Sequence, residues 1–243
     1  NVQSFENYSS LANEGQNARA GIPRPANDNS IGNVANSNQL RTYFVHSEVA
    51  RIASNILAQL NTTGYTLGST AQDLRAKSFA EFLRGISLGY LALLYDSSAI
   101  NTPALAGDEI GLLYGYRTVM DSAIAALDRA VAHAVAAAAA TGPDGFPLPS
   151  SWIPSSTSFT SAEFIRLARS YNARFRANVA RTPAERADVS AGGIVNWAQV
   201  ITEAQNGITV DHNNRTSTTT GPNKSWIGTY MATVASGGVW HQM

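Results

Sequence analysis

Apolar residues recur at helical spacing from residue 45 to residue 204, and each helical stretch opens or closes on a capping signal. That combination restricts the chain to helices packed on helices, because a strand needs alternation rather than a period of 3.6. Val45, Val49, Ile52, Ile56 and Leu60 are spaced to form one stripe of a first helix that ends between Asn61 and Gly64. Ser69 with Gln72 opens a second helix, since a serine oxygen at the cap and a polar side chain three residues on can each satisfy an orphan backbone group. This helix runs to about Tyr95 and carries Phe79, Phe82, Leu83, Ile86, Tyr90, Leu93 and Leu94, while Gly85 and Gly89 allow a neighbouring helix to approach closely.

Asp96 to Gly107 reads as a loop of Ser, Asn and Pro. A third helix is expected to begin between Asp108 and Tyr116, with Leu113, Tyr116, Met120, Ile124, Leu127, Val131 and Val135 on one face and Gly142-Pro143 as its stop. Thr160 with Glu163 is a second capping box, and the helix behind it is sharply two-faced. Phe164, Ala168, Tyr171, Phe175 and Val179 share a narrow sector, and Arg166, Arg169, Arg174, Arg176 and Arg181 occupy the other half. Thr182-Pro183-Ala184-Glu185 is a third box with proline at the first helical position, and Asn196 with Gln199 opens a short helix closed by Gly207. No strand ladder is expected before residue 208. The fold class that follows is all-α: antiparallel helical hairpins stacked in a tetratricopeptide-like array with long irregular loops.

Charged residues make up only 14% of the chain, against roughly 25% in an ordinary domain. Asn, Ser and Thr supply the polar surface instead, in runs such as Asn27 to Asn38 and Asn213 to Thr220. Seventeen basic and seventeen acidic residues cancel, which argues against a nucleic-acid binder or a polybasic membrane clamp, both of which need surplus Lys and Arg. The absence of cysteine removes disulfides, thiolate metal sites and a cysteine nucleophile. The longest apolar run, Ala130 to Ala140, is shorter than the roughly 18 to 20 residues that span a bilayer.

Candidate chemistry is sparse. The four histidines, His46, His133, His212 and His241, have no metal-ligand spacing, so neither a metal nor a cofactor is expected. Asp211-His212 reads as a solvated pair, and Asp96, Asp108 and Glu109 read as loop or cap residues rather than glycosidase carboxylates. Nucleotide and hydrolase signatures are missing, and Gly192-Gly193 reads as a turn. The arginine half of the fourth helix reads as a solvated face or as partners for carboxylates on a neighbouring helix. Trp226, Tyr230 and Trp240 stand among Asn-rich polar residues, and aromatic faces beside neutral hydrogen-bonding groups suit the stacking of sugar rings. They are the candidate ligand-binding residues. Their alternative role is to cover the helical core from the loop side.

The segment AKSFAEFLRGISLGYLALLYD, Ala76 to Asp96, resembles the first scaffold helix of SusD/RagB-type nutrient-uptake proteins. AEFIRLARSYNARFRANVARTPAERADV, from Ala162 to Val189, and VNWAQVITEAQNGI, from Val195 to Ile208, are similar to a second stretch of that family, in the same order. Trp152 also sits where relatives carry an aromatic residue. The resemblance implies a non-catalytic lipoprotein on the cell-surface side of the bacterial outer membrane. Such a protein captures oligosaccharides, or peptides in some branches, and passes them to a SusC-type TonB-dependent transporter. It implies no nucleic-acid partner, and it implies a lipid anchor that this cysteine-free chain does not carry. No binding residue transfers position by position. The expected organisation is an irregular arm over 1–38, a helical scaffold over 39–208 and a loop-rich, truncated start of a ligand-binding region over 209–243. The rival reading is a helical-repeat interaction module without a small-molecule ligand.

Overall fold

A computed structural model describes residues 37–62, 64–105, 109, 111–140, 145–149, 152, 159–190 and 192–210. Four long helices carry the architecture: α1 (Ser37–Leu60), α2 (Thr70–Leu94), α3 (Tyr116–Ala139) and α4 (Ser161–Asn178). Two short ones follow, α5 (Pro183–Ala187) and α6 (Trp197–Gln205). Between α2 and α3 lie β1 (Ser97–Ala99) and β2 (Leu113–Gly115), paired antiparallel with Ser98 opposite Tyr114. The described chain is all-α apart from this ladder, which corrects the expectation of none. Leu113, assigned by periodicity to the third helix, lies in β2 and is exposed, and the helix starts at Tyr116.

The caps form where the sequence places them. Ser69 accepts from the Gln72 amide, and Thr160 with Glu163 and Thr182 with Glu185 close both halves of their boxes. Asn196 accepts from the Gln199 amide, and the Gly207 amide donates to the Ala204 carbonyl. Gly142 and Pro143 lie outside the described residues.

Each long helix packs chiefly on its sequence neighbour, α1 on α2, α2 on α3, α3 on α4, and α4 on α6. Contacts run antiparallel. Tyr43 meets Tyr95 and His46 meets Tyr90 across α1 and α2, while Ser78 meets Ala130 and Gly85 meets Leu127 across α2 and α3. Central α2 buries residues all round, among them Phe82, Leu88 and Leu91. The α4 stripe is seated as its pattern predicts: Phe164, Ala168, Phe175 and Val179 are buried and Tyr171 is half-buried.

The stripes of α1 and α3 are not seated as predicted. Val45, Ile52 and Ile56 remain 48%, 51% and 42% exposed, and the face that α1 buries is Ala50, Ala53, Ser54, Leu57 and Leu60. In α3 the buried face is Val119, Met120, Ala123, Ala126, Leu127, Ala130, Ala134 and Ala137, whereas Val135 is exposed. At 3.6 residues per turn, both faces are turned by roughly a quarter turn from the bulky stripe. The cause is close packing. A methyl group at Gly85 would lie 2.8 Å from Leu127 Cγ and 3.0 Å from the Ala123 carbonyl oxygen, so the α2–α3 crossing leaves no room for a side chain at residue 85. By length and composition α3 is also long and apolar enough to cross a membrane, which the short run from Ala130 to Ala140 does not suggest; 33% of that apolar stretch is buried, and its small-residue face packs on α2 and α4.

Charge is buried at the same crossing. Glu81 and Arg84 are only 5% and 4% exposed. Arg129 reaches from α3 to both Glu81 oxygens, with Nε 2.7 Å from Oε1 and Nη2 3.1 Å from Oε2. Arg84 Nε donates to the Asn101 carbonyl at 2.9 Å, and Ser54 Oγ on α1 lies 3.1 Å from the same oxygen. One loop carbonyl therefore joins α1, α2 and the β1–β2 connection, and burial of the Arg84 guanidinium pulls its pKa below the ordinary arginine value. Removing one member of such a group strands the others, at a cost of about 3 to 5 kcal/mol. Glu81→Ala is expected to destabilise the fold by that amount in urea unfolding. Gly89→Ala would gain about 1 kcal/mol of helix propensity but drive a methyl into the fully buried Phe175 ring, so a net loss of about 1 to 2 kcal/mol is expected by thermal unfolding.

Candidate functional site

Trp226, Tyr230 and Trp240 lie outside the described residues, as do Asp108, Asp211, His212 and His241. The aromatic residue that the structure does place at a recess is Trp152. It is half-buried in the connection between α3 and α4, and its ring stacks on Phe79 of α2 with centroids 5.2 Å apart and planes 28° apart. The Arg75 guanidinium lies 5.5 Å from the Trp152 ring centroid and Nη1 donates to the Pro147 carbonyl at 3.3 Å, which ties the α3–α4 connection to the start of α2.

Beside this stack is a pocket of about 400 Å³. Ile56, Gln59 and Leu60 from the last turns of α1 form one wall, Ala76, Phe79, Ala80 and Leu83 of α2 another, and Tyr65, Leu67 and Trp152 the rim. The local sequence dictates the recess. α1 and α2 are brought together by small residues such as Ala53 and Ala80, and the turn between them, with Gly64 at φ 81° and Gly68 at φ 124°, swings Tyr65 and Leu67 outward at 42% and 44% exposure. Among the described residues no lining residue carries a formal charge, and the polar side-chain groups of the lining are the Gln59 amide, the Tyr65 hydroxyl and the Trp152 indole N–H.

The arginine half of α4 is engaged by its neighbours. Arg169 pairs with Glu203 of α6 at 3.1 Å, and Arg176 meets Asp128 of α3 at 3.6 Å and Gln199 of α6. Buried Asn172 completes that junction: its Nδ2 donates to Asp128 at 2.6 Å and its Oδ1 accepts from Arg176 Nε at 2.7 Å. Arg166 reaches Thr209, and Arg174 lies 5.6 Å from the Tyr90 ring centroid. Arg181 donates to the Ala92 and Tyr95 carbonyls at the end of α2, pairs with Asp96 and covers the Tyr116 ring at 3.7 Å. A cation there satisfies carbonyls that a helix C-terminus leaves open. These arginines are structural ties, as the solvated or paired reading expects, and a surface depression at five-residue α5 is lined by Arg181, Thr182, Pro183, Arg186 and Ala187.

Carboxylates and histidines are likewise engaged or scattered. Among the described residues no three His, Cys, Asp or Glu side chains gather as a metal set would. His46 stacks on Tyr90 with centroids 5.3 Å apart, and burial lowers its pKa; burial also lowers that of His133. The Glu185 carboxyl is held at about 2, chiefly by the Arg181 amide it accepts from, then by the Thr182 amide and Arg117. No protein family, curated protein or solved structure matches the chain.

Sequence pattern locates Trp152 but not its pocket, because the walls come from the exposed stripe of α1 and the second face of α2. Two linked pH effects are expected. The histidine pKa values lie below their unfolded value of about 6.5, so their contribution to stability is full above that pH and falls as pH drops beneath it. Urea midpoints are expected to fall between pH 7.5 and pH 5, with a smaller fall in His46→Phe. Glu185, depressed to about 2, keeps its contribution above the ordinary carboxylate range and loses it progressively as pH falls from 4.5 to about 2, and a carboxyl-carbon NMR titration is expected to give it a midpoint near 2.

Proposed function

We propose that this chain belongs to a non-catalytic surface binding protein of the SusD/RagB type. It captures oligosaccharide or peptide nutrients at the outer membrane and hands them to a SusC-like TonB-dependent transporter, with its membrane association supplied by a lipid anchor outside this chain. The observation that carries the reading is the recess beside Trp152, an aromatic-walled pocket whose described lining holds no carboxylate, histidine, lysine, serine, threonine or cysteine. Such a site suits holding and release rather than bond cleavage. The sequential packing of antiparallel helices supports a tetratricopeptide-like scaffold, and the ordered resemblance of Ala76 to Asp96, Ala162 to Val189 and Val195 to Ile208 supports the family. Neutral composition fits ligands recognised without net charge.

A second reading, a helical interaction module, is favoured by the exposed apolar side chains of α1, Val45, Ile52 and Ile56, which lie on one face of the helix. The two part in a detergent extract of outer membranes. Co-purification of the full-length protein with a large β-barrel is expected from nutrient capture, and a stable water-soluble assembly without a barrel would displace it. On the capture reading, Trp226→Ala, Tyr230→Ala and Trp240→Ala are each expected to weaken oligosaccharide binding about tenfold, or about 1.4 kcal/mol, by calorimetry. Unchanged affinity in all three would remove those residues from the site, and a hydrolysed oligosaccharide after long incubation would make the protein an enzyme.

A further inference from the structure

We infer that the edge of the α2–α3 seam, where Lys77, Arg129 and His133 gather over the buried Glu81 carboxylate, is a binding site for a tetrahedral oxyanion of the phosphate or sulfate kind. The inference stands apart from the capture reading. Its first ground is register. Arg129 lies opposite Glu81, Ser78 Oγ donates to the Ala130 carbonyl, and the two helices run in opposite directions. Four residues back along α2 and four residues forward along α3 are then the same step of about 6 Å. That step carries Glu81 to Lys77 and Arg129 to His133, and so sets a second pair on the seam one turn beyond the ion pair. The His133 ring accordingly feels the charges of Glu81, Lys77 and Arg129.

Unbalanced charge is the second ground. Both Glu81 oxygens are already taken, Oε1 by Arg129 Nε at 2.7 Å, and Oε2 by Arg129 Nη2 at 3.1 Å and Arg84 Nη1 at 3.4 Å. The neighbouring carboxylates are engaged elsewhere: Asp73, one turn before Lys77, accepts from the Leu67 amide at 2.7 Å, and Asp128 accepts from Asn172 at 2.6 Å. Among the described residues Lys77 forms no ion pair and His133 no hydrogen bond. Lys77, Arg84 and Arg129 thus surround a single carboxylate, and two positive charges of the cluster lack a counter-charge.

The third ground is the supply of donors. Arg129 spends Nε and Nη2 on Glu81 and keeps Nη1, and the Lys77 ammonium keeps all three N–H groups. Burial lowers the His133 pKa, with Glu81 opposing and Lys77 and Arg129 assisting, so the ring is neutral at pH 7 and offers one N–H. Donors from α2 and from two turns of α3 suit an ion with oxygens on several sides, whereas a planar carboxylate presents two. A dianion also matches the two unbalanced charges. The Arg129 side chain is 45% exposed, which leaves the site open to solvent, and its double bond to buried Glu81 fixes its direction before any ligand arrives, so little ordering opposes binding.

NMR of the His133 imidazole in the full chain tests this by titration with sodium sulfate, sodium phosphate and sodium acetate, ionic strength being held constant with sodium chloride. Sulfate and phosphate are expected to shift the ring signals saturably and to raise the His133 pKa, because a bound anion favours the charged ring. The tighter of the two names the oxyanion, and acetate is expected to bind about tenfold more weakly. Lys77→Gln is expected to weaken sulfate binding about tenfold. Arg186→Gln removes the same charge from exposed α5, at the other end of α2, and is expected to change nothing. Circular dichroism checks that both variants keep the fold. A His133 signal that responds to none of the three anions, or a loss no greater in Lys77→Gln than in Arg186→Gln, overturns the site. Acetate binding as tightly as sulfate overturns the tetrahedral class.

Discussion

The close crossing of α2 and α3 sets the distances on which the remaining packing depends. Gly85 rests against Leu127 and the Ala123 backbone, and Ser78 Oγ donates to the Ala130 carbonyl at 2.7 Å. At that separation glycine at residue 85 makes room for Leu127, and the phenylalanine rings gather on the side that meets α4. Phe82, Phe164 and Phe175 form the layer against α4, with the Phe82 and Phe164 rings 5.1 Å apart. Burial of each phenylalanine contributes about 1.5 to 3 kcal/mol, more than an exposed ion pair such as Arg117 with Glu185, which solvent screens. The core is thus held by rings, with the small-residue seam deciding where those rings can stand.

Buried polar groups serve register rather than net stability. An apolar seam of alanines can slide by a turn at little cost, whereas Glu81 facing Arg129, Arg84 facing the Asn101 carbonyl and Asn172 facing Asp128 each have one satisfied alignment. The arginines of α4 extend the same principle to α6, and Arg181, just beyond α4, extends it to the end of α2. An arginine-rich face in a neutral chain becomes a set of ties because the carboxylates lie on the helices it packs against, and little of it is left to hold an anion.

The recess beside Trp152 follows from the same geometry. Because α1 buries the face of Ala50, Ala53, Ser54, Leu57 and Leu60, its Val45, Ile52 and Ile56 face outward, and Ile56 becomes a pocket wall. An apolar side chain left half in water beside two stacked rings favours a guest that is apolar and uncharged. The candidate site is consequently a by-product of how the scaffold packs, supplemented by one loop tryptophan.

Helix number, capping and the two-faced character of α4 were legible from sequence, since a capping box is a contact between residues three apart and a helix with one packed side buries the stripe its period describes. The orientation of α1 and α3 was not, because residue size along a single helix says which side is bulkiest and not which side is closest to a neighbour. Periodicity favours Val45 and Ile52 over Ala50 and Ala53, and the close α1–α2 and α2–α3 contacts reverse that order. Trp152 stood out as an aromatic in a loop, yet its stacking on Phe79 joins residues 73 positions apart, a pairing that no local pattern encodes. Local chemistry settled which segments are helices and where they begin; tertiary packing alone chose the buried faces and so made the pocket, because the distance between two helix axes depends on both partners at once.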